Sequence, residues 1–297
     1  MSYDSVRAML DDCKASRKPL YEVIMESDLA ESGLTRAQSQ AEMQRLWAVM
    51  RQTSAEYCGA QRSASGFAGG DAQKLAAAPA GSLYCTGYLT EVMTEALKTA
   101  ECNACMKRIV AAPTAGSCGV LPAVLIPLWR QGAASEEGIC QALYVAAGFG
   151  QIIAARATLA GAEGGCQAEV GAAAGMAAAA LVTLKGGTAE QSAEALAMAL
   201  LNLEGLVCDP VAGLVEIPCI KRNVIGAMDA VSAADMALAG ITGHIPADEV
   251  IDALAEVGAA MSKDLRETGI GGLAGTPTGQ AIRDIVTMTQ DEAAPQS

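Results

Sequence analysis

Three cysteines carry the most specific chemistry in this chain. Cys166 stands in GAEGGCQAEVG, and Cys208 and Cys219 bracket VCDPVAGLVEIPC, all within residues 161–223. A thiolate is a soft ligand that suits zinc or an iron–sulfur cluster. Four thiolates close either kind of site, whereas three leave one position open to water or substrate. We read the three as ligands of a [4Fe–4S] cluster used as a Lewis acid. A catalytic zinc ion on the same thiolates is the rival, and colour separates them: the zinc site is colourless and the cluster brown.

Two further stretches have the look of ligand loops. In RIVAAPTAGSCGVLPAVLIPLW, residues 108–129, an extended apolar run meets Pro113, a small-residue loop and then a helical run. Backbone N–H groups and the helix dipole converge at such a helix start, which suits a substrate carboxylate. Thr114, Gly116, Ser117 and Cys118 are the substrate contacts read from it; the plainer reading makes Ser117 an N-cap. Cys118 fits a fourth thiolate equally well. Residues 63–87, with RSASGFAGGDAQKL, are rich in Gly, Ser and Ala. Their glycines let backbone approach a ligand, so Ser65, Gly69, Gly70 and Asp71 are candidates for substrate or monovalent-cation contact, against a flexible linker. Lys221 and Arg222 follow Cys219 directly and are placed to offset the charge of a cluster or carboxylate, unless they pair with a carboxylate such as Glu216. Cys102 and Cys105 form a lone CxxC with no second pair at zinc-ribbon spacing, a structural feature on this reading. The one histidine, His244 in ITGHIPADE, is read the same way.

These segments need helices to hold them. Residues 1–57 read as two helices, with Ala41, Leu46, Ala48 and Val49 among charges over 37–55 and a break at Ser32-Gly33. Residues 1–60 form a helical packing region. Further helices are expected at 88–106, 136–159, 163–184, 188–203, 218–239 and 245–262, with a turn at Cys208-Asp209-Pro210. A Gly/Thr-rich loop at 265–279 precedes a short terminal helix, and a disordered tail is expected over 291–297. No stretch alternates with period two. The expected fold is all-α: buried Ala-rich helices, with Gly/Ser/Thr-rich ligand loops at helix ends, in a single domain over residues 1–297.

Composition narrows the setting. Hydrophobic residues are 52% of the 297 and aromatics only 3%, so the core is built from Ala, Leu, Val, Ile and Met. A net charge of −13 argues against nucleic acid and anionic membranes as partners. Residues 1–10 lead into charged sequence, unlike a signal peptide, and the apolar stretch 170–184 is too short and too Ala-rich for a membrane span. A cytoplasmic location follows. There, ten cysteines read as ligands, reactive thiols or core residues, not as a disulfide framework.

Taken together, SGFAGGDAQK, RIVAAPTAGSCGVLPAVL, GGCQAEVGAAAGMAAAALV, VCDPVAGLVEIPCIKRNVIGA and LRETGIGGLAGTPTG resemble, in order, the α subunit of the iron–sulfur-dependent L-serine dehydratases. The resemblance spans about 63–279. It implies a [4Fe–4S] cluster on Cys166, Cys208 and Cys219 with one iron free of protein ligands, and an amino-acid substrate. It further implies elimination of water from L-serine to pyruvate and ammonia without pyridoxal phosphate, in serine catabolism and gluconeogenesis. Full-length members carry a second domain with a Ser/His-rich motif, which is missing here. The chain therefore looks like the α half of an oligomeric two-chain enzyme, with a β subunit as partner and source of the base. Some single-chain members end in a cysteine that caps the cluster; this chain ends in DEAAPQS. A related dehydratase or desulfidase acting on L-threonine or L-cysteine, or a non-catalytic metal-binding module, are the alternatives.

Overall fold

The computed structural model describes residues 3–293. Thirteen α-helices occupy most of them: α1 Val6–Ser16, α2 Leu20–Ser32, α3 Arg36–Ala55, α4 Asp71–Ala76, α5 Tyr88–Ala104, α6 Val120–Arg130, α7 Glu136–Arg156, α8 Gly161–Gly164, α9 Ala172–Leu184, α10 Ala189–Leu203, α11 Cys219–Leu238, α12 Ala247–Ala260 and α13 Pro277–Ala293. A π-helical turn, Gln167–Gly171, runs directly into α9. Among the described residues there is no β-strand, only one isolated parallel bridge between Cys208 and Arg266. The all-α expectation agrees with this architecture.

The middle of the fold is α9, AAAGMAAAALVTL, whose first eleven residues are all buried. It packs against α6, α7, α10 and α11. Alanine makes this possible: it loses no side-chain entropy in a helix and lets neighbouring helices pack closely. Larger apolar residues of α6 and α7, such as Leu121, Ile126 and Ile139, fill the space between. By composition, Glu136–Arg156 and the 167–184 segment are apolar enough to cross a membrane, but 67% and 83% of their apolar windows are buried inside the fold.

The amino-terminal region differs from the two-helix expectation. Arg17 takes a left-handed conformation that ends α1, and Pro19 opens α2, so three helices form. The start of α3 is a capping box: Thr35 accepts from Gln38 N–H, and the Gln38 side chain accepts from Thr35 N–H. Residues of α1 and α2, including Met9, Val23 and Ile24, share a core with Phe149 and Ile152 of α7. The terminal helix α13 is longer than the short helix expected and takes in 291–293, the first residues of the tail expected to be disordered over 291–297; the rest of that tail lies outside the described residues.

Helix α11 also carries a measurable fault. Asp229 Oδ1 accepts from Asn202 Nδ2 at 2.8 Å, while its buried Oδ2 has no hydrogen-bond partner. Loss of hydration pushes its pKa up to about 6. The folded state thus favours the protonated acid. The resulting cost is absent below about pH 4, where the unfolded chain is also protonated, and is complete above about pH 6. Asp229→Asn should stabilise the chain at pH 8 by about 1–2 kcal/mol after allowance for partial exposure. Thermal melts at pH 4 and pH 8 check this: the gain should be present at pH 8 and fade at pH 4.

Candidate active site

Each of the three cysteines is positioned by a different local device. Cys166 immediately precedes the π-helical turn, a feature that often occurs at functional sites. The next residue, Gln167, is fully buried and anchors the turn: its Nε2 donates to Leu254 O at 3.0 Å and its Oε1 accepts from Gly205 N–H at 2.7 Å. Cys208 lies in the connection between α10 and α11. Its N–H donates to Leu265 O at 2.9 Å and its carbonyl accepts from Glu267 N–H at 2.7 Å, so the Gly-rich segment after α12 clasps it. Asp209, buried beside it, accepts from Arg222 Nη2 at 2.8 Å and Leu273 N–H at 2.7 Å. Cys219 is the first residue of α11.

The three thiols come together. Each is buried, and Cys208 and Cys219 are pushed upward by burial first and then by Cys166. Cys166 is raised to about 11 and Cys219 to about 12, with Arg222 opposing the rise at both. Cys208 rises further still. These thiols resist ionisation as a free set, and a cation among them would reverse that. Among the described residues no three Cys, His, Asp or Glu side chains are gathered into a single-ion shell. The thiols' number, softness and burial are those of a sulfur-ligated metal group.

Beside them stands a carboxylate that the sequence did not single out. Glu169 is half-buried on the π turn, and its charge raises the pKa of all three thiols. Its Oε1 accepts from Thr114 Oγ1 at 2.7 Å, and Cys208 Sγ lies 3.9 Å from Oε2. Burial raises its own pKa, and no Lys or Arg figures among the groups that shift it. Two glycines make room for it: a Cβ at Gly161 would lie 2.5 Å from Oε2 and one at Gly116 3.0 Å from Oε1. The available signal was spacing, since Glu169 falls one helical turn after Cys166.

The loop read from PTAGSCG is joined to this group. Thr114 N–H donates to Ser117 Oγ at 3.4 Å, and Ser117 is fully buried. The N-cap of α6 is Gly119, with no side-chain cap, so the plain N-cap reading of Ser117 does not hold. Asn223, another residue the sequence did not flag, ties the loop to α11. Its Oδ1 accepts from Gly119 N–H at 2.8 Å, and its Nδ2 donates to Gly116 O at 2.8 Å and Cys219 O at 2.9 Å. Cys118 is fully buried, and after burial itself it is Cys102, not any of the three thiols, that raises its pKa.

The other candidates form a second layer. Ser65 Oγ donates to Glu216. Gly70 and Asp71 N–H groups donate to the buried Glu101 carboxylate at 3.0 and 2.7 Å, and Gly69 has φ of 120°, open to glycine. The Asp71 carboxylate is engaged by Lys74 and by Lys221, at 2.9 and 2.6 Å, which holds its pKa below the usual range. Lys221 thus pairs with Asp71 in place of the Glu216 envisaged, whereas Arg222 faces Cys166 as well as Asp209. Cys102 donates to Thr53 O at 3.7 Å, and His244 lines a cavity of about 450 Å³ with Arg7, Asp11 and Lys14, apart from the thiols. All ten cysteines are free of disulfides.

Comparison with known proteins places this geometry in context. Residues 15–274 match the family described as serine dehydratase alpha chain. A probable L-serine dehydratase alpha chain of Bacillus subtilis (strain 168) is 44% identical over 281 residues, covering 94% of each chain. The L-serine dehydratase alpha chain of Peptoniphilus asaccharolyticus is 40% identical over 289 residues, 94% of this chain and 97% of that one. L-serine dehydratase 1 of Escherichia coli (strain K12) is 43% identical over 181 residues, which is 60% of this chain but 40% of that longer protein.

Proposed function

This chain belongs to the serine dehydratase alpha-chain family, and on that premise we propose that it is the α subunit of an L-serine dehydratase, a lyase that eliminates water from L-serine. The products are pyruvate and ammonia. The observation that carries this reading is the convergence of three buried thiols from separate segments beside a loop held by Thr114, Glu169 and Asn223.

Cys166, Cys208 and Cys219 are the residues that would hold a [4Fe–4S] cluster, and their donor type, number and burial suit it. When bound, the cluster would supply a Lewis acid that makes hydroxide a better leaving group. The chain's own residues do the rest of the positioning. Arg222 offsets thiolate charge at Cys166. Thr114 and Ser117 shape the loop on the substrate side, and Asn223 fixes its distance from Cys219. Removal of the α-proton from serine leaves an aminoacrylate after hydroxide departs, which tautomerises to an imine and hydrolyses.

A β subunit completes the enzyme on this reading. The relatives that match nearly all of this chain are named alpha chains, and the partner that such a name implies would bring the proton acceptor. The cytoplasm, which keeps thiols reduced, is the compartment that suits ten free cysteines. The test is anaerobic assay of the chain with and without a co-expressed partner. Pyruvate from L-serine with the partner is the expected result. Faster release of sulfide from L-cysteine than of pyruvate from L-serine would make it a desulfidase instead.

A further inference from the structure

Glu169 is a half-buried carboxylate facing all three thiols, and among the described residues no Lys or Arg figures among the groups that act on it. Three cations in the surrounding segments have other partners: Arg222 faces Asp209 and Cys166, Lys221 pairs with Asp71, and Arg266 donates to Glu163 O. An anion in such a setting lacks the counter-charge that normally accompanies burial. Its orientation is nonetheless fixed. Thr114 holds Oε1, which leaves Oε2 turned toward the thiols. The glycines at 116 and 161 let both walls close on the carboxylate without touching it.

An α-amino acid brings the missing cation. We propose that Glu169 recognises the α-ammonium group of the substrate, pairing with it through Oε2 while Thr114 steadies Oε1. This rests on the serine dehydratase reading and deepens it, because it makes the site select amino acids over the corresponding hydroxy acids. A hydroxy acid leaves the carboxylate unpaired, and a buried polar group left unpaired is what gives such sites their discrimination.

L-Alanine and L-lactate are the probes. They differ only in ammonium against hydroxyl, and neither carries a β-hydroxyl to lose. Their affinities are measured calorimetrically on the anaerobic complex of this chain with its partner, for wild type, Glu169→Gln and Glu169→Asp, beside KM and kcat for L-serine. In Glu169→Gln, alanine binding should weaken and the serine KM rise by about 10- to 100-fold, the usual worth of a charged hydrogen bond. Lactate affinity should stay within about threefold. Glu169→Asp keeps the charge and should recover part of the alanine affinity. Equal weakening of alanine and lactate in either variant overturns the proposal, as does an unchanged alanine affinity with a lower kcat. Should Glu169→Gln fail to fold, the alanine-to-lactate ratio of Glu169→Asp decides alone: a selective loss of alanine supports the proposal. A wild-type complex that makes no pyruvate from serine sinks the functional reading; one that makes pyruvate but shows no ammonium selectivity sinks only the role of Glu169.

Discussion

Cys208→Ser should lose iron and cut pyruvate formation from L-serine by at least about a thousandfold, while the chain keeps its helical circular dichroism. The expected loss exceeds the 10- to 100-fold typical when only a ligand's supporting hydrogen bond is removed, because here the ligand atom itself goes. Serine has nearly the same shape, but its hydroxyl is a poor donor to a metal that prefers soft sulfur. The backbone of residue 208 is held by Leu265 and Glu267 and does not depend on the side chain, so the fold should survive. Cys118→Ser is the control. Cys118 is buried next to Cys102, apart from the three thiols, and its variant should keep full iron content. A Cys208→Ser protein with normal iron would remove Cys208 from the ligand set.

Asn223→Ala should destabilise the chain by about 3–4 kcal/mol in denaturant unfolding and raise the serine KM at least about tenfold. One amide here satisfies three backbone groups, Gly119 N–H, Gly116 C=O and Cys219 C=O, and its own side chain is buried. Truncation leaves Gly119 N–H and Gly116 C=O unpaired in a dry setting, at about 1–3 kcal/mol for each that water does not reach, while Cys219 C=O keeps its bond within α11. It also uncouples the PTAGSCG loop from the first turn of α11, so substrate positioning suffers along with stability. Asn223→Asp separates the contributions: it keeps the acceptor for Gly119 and loses both donated bonds, so its loss should approach that of the alanine variant. A variant with wild-type stability and KM would show that the loop is held by other means.

Much of the fold was legible because its signals are local. Ala-rich periodic stretches became the central α9 and α10, and the Ser32-Gly33 break became a left-handed Gly33 after α2. The break at Arg17 was not legible, since a left-handed arginine has no compositional mark. The site divides in the same way. Cysteines announce themselves by type, and the structure brings Cys166, Cys208 and Cys219 to one place. Glu169, Asn223, Asp209 and Glu101 are common residue types whose importance comes from partners 13 to 107 positions away. Lys221 shows the converse: its position after Cys219 suggested charge compensation there, yet it reaches across to Asp71.

The central claim is that the three thiols hold a four-iron cluster, and the direct test is metal and acid-labile sulfide analysis of the chain purified without oxygen. Four irons and four sulfides per chain, approximately, in a brown protein, are predicted for a [4Fe–4S] site. A colourless protein after anaerobic reconstitution, or one zinc ion per chain bound through the same cysteines, would contradict it.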